Sequence, residues 1–443
     1  MEQPLDAQWF EPLRTRLKHV DETYILLEPA PDAVAAKRQE FEDSGYAKDI
    51  ELYPESSVSE SLQAPHDALS ELRLNILATE PNPLVRETYS DFIDETLANI
   101  ELIQAACQHD AARYRELNEQ LYDQPDRALF ADVCDWIRGD IEGSLPGANA
   151  QLSGLGRLAL DALPDTNGDG ARLLPSNDTF QAVRALHLQP GGLYPLLFGE
   201  GGLPSMGDVT EVEGDPICRQ VLKNIGAKHT IVDAPNITWG VTREPETLLR
   251  PKQYRLFREE FIGLVGHEIG SHILESVNGA TKPLQLLQLG LAGFIKGNEG
   301  RALIREQVVY RSVEDAFGRP AWEYGVLKFL AVCLALGYDK TPYHFPEVYG
   351  ALHALYAFWR ERRMPGHPYN ETYARDHAWF LTVRILKGTD GRGGCYQKDT
   401  VYLDSNVALW RMAASDPAVI MAGDEGKFNL LNPRHREIMR QLG

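Results

Sequence analysis

Gly266-His267-Glu268-Ile269-Gly270-Ser271-His272 is the most informative stretch of this 443-residue chain. Pro251 precedes it and Asn278-Gly279 follows it, so the apolar pattern between them predicts one strong helix over Gln253 to Val277. The two histidines are separated by five positions. On an ideal helix, at about 100° per residue, that spacing places their imidazoles roughly 140° apart. They share a face only if the helix takes in one extra residue, as a π-bulge does, and such bulges occur often at functional sites. Gly270 lies inside the insertion and would ease the distortion. With 12 His and 35 Glu in the chain, a His-Glu-x-x-x-His match is expected by chance only about 0.03 times. The alternative is a plain helix with one buried and one wet histidine.

The stretch resembles the His-Glu-x-x-His helix of zinc hydrolases with one residue added. In that helix two histidines hold the metal and the glutamate sits beside the attacking water. Asn298-Glu299-Gly300 decides between the alternatives. Glu299 follows His272 by 27 residues, and hydrolases of the gluzincin type take a third ligand from a Glu in a similar setting on a following helix. Read alone, Glu299 would be a helix-start acid favoured by the helix dipole. Read with His267 and His272, it completes a set of two imidazoles and one carboxylate that holds one Zn²⁺ and leaves a position for water. Zinc would lower the pKa of that water towards about 7 and polarise a carbonyl. Glu268 would take the water's proton and hand it to the leaving amine. An oxyanion donor is also needed, and the candidates are Tyr310, His377, Tyr396 and Tyr402.

The chain further resembles the bacterial QEGLA-motif proteins, whose eukaryotic relatives are the microtubule-associated tyrosine carboxypeptidases. Three blocks carry the resemblance. His267 to His272 matches the family's His-Glu-Ile-Gly-(Thr/Val)-His. Asn298-Glu299-Gly300-Arg301-Ala302 matches its Gln/Glu-Glu-Gly-Leu-Ala. The run from Ala378-Trp379 through Arg384, followed by Gly393 to Leu403, matches its Arg-bearing helix, Gly-rich turn and Thr-Lys-Asp-x-x-Tyr-Leu segment. The match runs in order from about Ile76 to the C-terminus and is thin before Gly226. It departs at Ser271, Asn298 and Arg301, none of which removes a ligand. The resemblance implies a zinc peptidase fold with His267, His272 and Glu299 as ligands and Glu268 as the catalytic base. A carboxypeptidase must grip a terminal carboxylate, and cationic side chains do so. Arg384, Lys398 and Arg305 are the candidates, with Tyr402 beside them; Lys398-Asp399 also reads as a structural pair closing the turn. The net charge of −20 would repel an acidic tail such as tubulin's, so that substrate is not carried over.

Composition sets the frame. Apolar residues are 43% and charged residues 24%, which is ordinary for a globular chain. The acidic balance disfavours nucleic acid and anionic membrane as partners. No secretory leader and no membrane span is read in the sequence, and Val326 to Gly337 is too short and carries Lys328. Five cysteines without a CxxC pair indicate neither a disulfide framework nor a thiolate zinc site. A cytoplasmic location is expected.

The expected fold is α+β and predominantly α-helical: a zincin-like, gluzincin-type core with a small sheet. Helices are predicted over Val58 to Leu77, Leu84 to about Leu121, from after Pro125 through Phe130, Val133 and Ile137 to Gly139, Lys282 to Phe294, Glu299 to Phe317, Trp322 to Leu336, Pro346 to Glu361 and Glu371 to Leu386. Strands are predicted at His229 to Val232 and Ile237 to Val241. Asp165 to Gly170 has the start of a calcium loop, but Ser176 stands where its closing Glu belongs, so it reads as a turn. Residues 1–180 form an N-terminal, mostly helical region and 181–443 the catalytic core. The leading expectation is a zinc metallocarboxypeptidase acting on a peptide or protein C-terminus. The others are a zinc amidohydrolase of another small amide or cell-wall peptide, and a non-catalytic zinc-containing regulatory protein.

Overall fold

A computed structural model describes residues 3–18, 20, 26–27, 29–200, 203–205, 207–234, 239–242 and 246–442. The described chain is mostly helix with two small sheets. Before the sheets come α1 (Phe10–Leu17), α2 (Pro31–Asp43), α3 (Ser56–Thr79), α4 (Pro83–Cys107), α5 (Ala111–Tyr122), α6 (Arg127–Ser144), α7 (Ala150–Asp161), α8 (Asn177–Leu188) and α9 (Leu193–Phe198), and α10 (Glu211–Asn224) lies between the first and second strands. After them come α11 (Arg258–His267), a π-helical turn (Glu268–Ile273), α12 (Leu274–Gly279), α13 (Phe294–Gln307), α14 (Val313–Phe317), α15 (Pro320–Ala335), α16 (Phe345–Arg363), α17 (Asn370–Leu386), α18 (Thr400–Ser415) and α19 (Pro433–Leu442). Tyr89, Ile103 and Ile141 from the first half share one hydrophobic core with Phe261, Phe329 and Trp359 from the second. Helix α8 runs across position 180. No helix among the described residues is long and apolar enough to cross a membrane.

The strands are β1 (Val209–Thr210), β2 (Thr230–Asp233), β3 (Gly240–Thr242), β4 (Thr247–Arg250) and β5 (Arg255–Leu256). β4 is central, parallel to β2 and antiparallel to β3, while β1 and β5 form a separate antiparallel pair. The expected strand from Ile237 is described only from Trp239 onward, because 235–238 lie outside the described residues.

Several boundaries differ from the sequence expectation for physical reasons. The long helix expected over Leu84 to Leu121 is broken between α4 and α5. His109 adopts a left-handed backbone (φ 58°), and the Asp110 carboxylate caps the new helix at the Arg113 N–H (3.0 Å). The helix expected over Gln253 to Val277 starts at Arg258, because Arg255 and Leu256 are drawn into pairing with β1. The helix expected over Lys282 to Phe294 does not form. The Asp6 carboxylate takes the N–H groups of Gln285 (3.0 Å) and Leu286 (2.9 Å), and Leu291 N–H donates to the Lys427 carbonyl (3.0 Å). A single 3₁₀ turn, Gln285–Gln288, remains there. Asp165 to Asp169 runs without regular structure along α6, where Asp169 N–H donates to the Asp132 carboxylate (2.8 Å).

Candidate metal centre

His267 ends α11 and His272 lies in the π-helical turn that follows. The inserted residue that the i, i+5 spacing demanded is therefore present, and it returns His272 to the face of His267. Their ring centroids are 5.0 Å apart at 73°. His267, Glu268 and His272 each offer a ligand atom within a 4.8 Å cluster.

Glu299 comes from α13, which packs against this turn. It lies in the second turn of that helix rather than at its start, because α13 begins at Phe294. One oxygen, Oε2, is 3.5 Å from His267 Nε2 and 3.6 Å from His272 Nε2. Ligands about 2.0–2.1 Å from a tetrahedral zinc stand about 3.4 Å from one another, so the donor set fits the ion. His267 and Glu299 are each 9% exposed and Glu268 is 6% exposed.

Glu306, two helical turns after Glu299, was missed by the sequence reading. Its Oε1 lies 2.5 Å from His267 Nδ1. A carboxylate on the far nitrogen of a ligating histidine fixes the ring's tautomer and raises its basicity. The signal was present as a seven-residue spacing on one helix face.

Electrostatics follow from this crowding. Burial opposes the charged form of His267, but Glu306 and Glu299 outweigh it and push its pKa well above the ordinary value. Burial likewise works to raise Glu299, yet His272 and His267 hold it well below the usual carboxylate range. Glu268 is different: burial raises its pKa, and the two histidines reverse this only in part. A buried carboxyl whose pKa is raised holds a proton more readily than an exposed one, which suits it to accept and return one.

A buried ionic layer lies beneath the π-turn. Arg301 and Arg305, both fully buried, flank Glu275. Arg301 contacts both carboxylate oxygens (3.1 and 2.5 Å), and Asn298 Nδ2 donates to Glu275 as well. Arg305 Nη1 donates to the Gly270 carbonyl and to Ser271 Oγ (2.9 Å), and Nη2 to Asp424. A π-turn disturbs the regular carbonyl pairing of its helix, and the Arg305 guanidinium supplies a donor there. Arg305 is thus committed to the scaffold and is corrected from its candidacy as a substrate-binding cation. Gly270 lies within the π-turn, as its place in the insertion implied, and a Cβ there would meet Leu197 and Leu193 of α9 at 3.1–3.4 Å. Close packing of α9 is its role. At Gly266 a Cβ would stand 2.6 Å from the Tyr194 hydroxyl, which itself donates to the Arg305 carbonyl (2.5 Å). At Gly300 a Cβ would stand 2.5 Å from Ser405 Oγ and 2.6 Å from the Ser405 carbonyl carbon. The glycine after Glu299 is what lets α18 lie directly on α13.

The substrate-side candidates separate. Arg384 makes a bidentate pair with Asp399 (Nε to Oδ2 2.5 Å, Nη2 to Oδ1 2.7 Å), and Asp399 is 1% exposed. Burial works to raise Asp399, but Arg384 and Lys328 hold it well below the usual range. Lys398 is half-buried in the single turn Gln397–Asp399. Tyr396 is buried and its hydroxyl meets that of Tyr122 (3.2 Å). His377 packs on Tyr373, with centroids 3.9 Å apart. Tyr310 has Arg319 over its ring at 4.9 Å. For Tyr402, burial raises the phenol well above the ordinary value, and the Glu299 charge adds to that.

Comparison of the chain with family models, with curated proteins and with solved structures returned no match.

Proposed function

We propose that this chain is a zinc-dependent peptidase that hydrolyses the peptide bond next to a C-terminus, and that it belongs with the QEGLA-motif and microtubule-associated tyrosine carboxypeptidase proteins on a gluzincin-type core. The observation that carries this reading is Glu299 Oε2 at 3.5 and 3.6 Å from two imidazoles that a π-turn has brought together. Three protein donors with a fourth position open mark a catalytic rather than a structural zinc site.

His267, His272 and Glu299 would hold the ion, and Glu306 orients the first of them. Bound zinc would supply Lewis acidity towards the carbonyl and acidify water at the site. Glu268, buried and adjacent, accepts the proton of the attacking water and returns it to the departing amine. The Tyr402 phenol, which burial and the Glu299 charge keep protonated, would donate to the carbonyl oxygen as charge develops on it. His267, Glu268 and Glu299 are buried, and the lower local dielectric strengthens each of these interactions.

The test is hydrolysis of a peptide panel by zinc-loaded protein, with free and amidated C-termini. Release of C-terminal residues from the free forms, abolished in Glu268→Gln while zinc is retained, supports the reading. Full activity in Glu268→Gln contradicts the assigned mechanism.

A further inference from the structure

Lys328 sits in the middle of α15, between side chains that are fully buried: Val326, Leu327, Phe329 and Leu330. It is itself only 8% exposed. Its ammonium lies 4.0 Å from the centroid of the Tyr402 ring and 4.6 Å from that of Tyr324. Among the described residues no carboxylate lies within ion-pair distance of it. The nearest candidate by position, Asp399, has both oxygens taken by Arg384.

This is an unusual placement for a cation. Lysine is almost never buried without a partner, because an ammonium removed from water costs several kcal/mol. Two aromatic faces return about 2 kcal/mol each in a desolvated setting. They soften the cost but do not neutralise the charge. Burial accordingly lowers the Lys328 pKa to about 8, with Asp399, Glu299 and Glu306 acting in the opposite direction. At neutral pH the ammonium is still mostly charged.

The same side chain is tied to the metal-ligand set by geometry. Tyr402, which covers the ammonium, lies on α18 one turn before Ser405 and Asn406. Those two residues rest on Gly300, the neighbour of Glu299, and Asn406 Nδ2 donates to the Gly300 carbonyl (3.2 Å). Lys328 is therefore a desolvated positive charge, walled by two tyrosines, on the side of the site where α15 and α18 meet.

We propose that the Lys328 ammonium is the anchor for the substrate's terminal carboxylate, so that the site selects peptides ending in a free carboxylate over amides and internal segments. This rests on the metallohydrolase reading of the site and names the residue that makes it an exopeptidase. A substrate carboxylate would give the ammonium a directly paired anion, where the described residues offer it two aromatic faces and the more distant charge of Asp399. The alternative role, a distant counter-ion for Glu299 and Glu306, makes a different prediction: removing the charge would then alter zinc affinity and affect acids and amides alike.

The experiment uses the full chain in the Glu268→Gln background, so that probes persist. Acetylated dipeptides with small, aromatic and acidic C-terminal residues are titrated calorimetrically as free acids and as amides, with and without zinc. Zinc affinity is measured in parallel by competition with a chromophoric chelator. The free acids are expected to bind at least about tenfold more tightly than the amides, as for one hydrogen bond to a charged group. In Lys328→Met that ratio falls to near one with zinc affinity unchanged, and in Lys328→Arg a preference for acids is retained. An acid-to-amide ratio that ignores Lys328→Met overturns the proposal, as does the absence of any preference for acids in the parent chain. Should Lys328→Met fail to fold, the parent ratio and Lys328→Arg decide in the same way. Lys328-dependent acid binding in a chain that takes up no zinc leaves the anchor standing and removes the hydrolase reading. In the chain with Glu268 intact, zinc-dependent peptide hydrolysis that is indifferent to Lys328→Met does the reverse.

Discussion

Replacing Arg305 by methionine removes a buried guanidinium while keeping much of its length and apolar contact. The side chain is fully buried, and its Nη groups reach Gly270 O, Ser271 Oγ, Glu275 and Asp424. Breaking one side of a buried ion pair costs about 3–5 kcal/mol, because the other side is left buried and under-compensated. Glu275 keeps Arg301 and Asn298, and the Asp424 side chain is 24% exposed and partly hydrated. The expected loss is therefore at the lower end, about 3 kcal/mol, out of a total stability of about 5–15 kcal/mol. Urea unfolding would read this as a fall in midpoint at constant slope. The Gly270 carbonyl also loses its donor, so the π-turn that aligns His272 with His267 is weakened. Zinc affinity, measured by chelator competition, should fall together with stability. Arg305→Lys keeps the charge but not the planar fork, and should be intermediate in both assays. A methionine variant within about 1 kcal/mol of the parent, with unchanged zinc affinity, would refute the claim that Arg305 holds the turn.

The other predictions concern the surrounding residues and pH. Glu306→Gln should weaken zinc binding by about 10–100-fold, because His267 Nδ1 loses its carboxylate; an equal affinity would show that the contact is incidental. Gly300→Ala should cost about 1–3 kcal/mol through overpacking of α13 against Ser405 and should lower zinc affinity through displacement of Glu299; thermal melts with and without zinc check both. His187 is fully buried, its Nδ1 next to the Val183 carbonyl (2.9 Å), and burial, reinforced by Arg305, lowers its pKa from 6.5 to about 4. Between those values the unfolded chain binds a proton that the folded chain refuses. Stability is therefore complete above about pH 6.5 and falls as pH drops towards 4, by about 3 kcal/mol for this residue. Urea titrations at pH 7.5 and 5 should show the fall, and a flat profile would contradict the burial argument.

How far the sequence was legible depended on whether the deciding interaction was local. The π-turn was legible, because a five-residue spacing between two ligands has few helical solutions, and Glu268–Ile273 adopts one of them. Helices α15, α16 and α17 were legible from their apolar periodicity to within two residues. The segment Lys282 to Phe294 was not, because its backbone is claimed by Asp6, 279 and 280 positions from the residues it binds, and by Lys427. The roles of Arg301 and Arg305 were hidden for a similar reason. A buried arginine and a surface arginine look the same in sequence, and only the packing of Glu275 and Asp424 around them separates the two. Lys328 was visible as an interruption of an apolar run, but the rings that cover it come from two different helices.

The most direct test of the account is the metal content of the full chain, purified without chelators or a histidine tag and measured by elemental analysis. The account predicts about one zinc per chain, as three protein donors and an open position imply, and its loss in His267→Ala and in Glu299→Ala. A chain that carries no zinc and takes up none when it is added would mean that the donors do not close on an ion, and the proposed chemistry would fall with it.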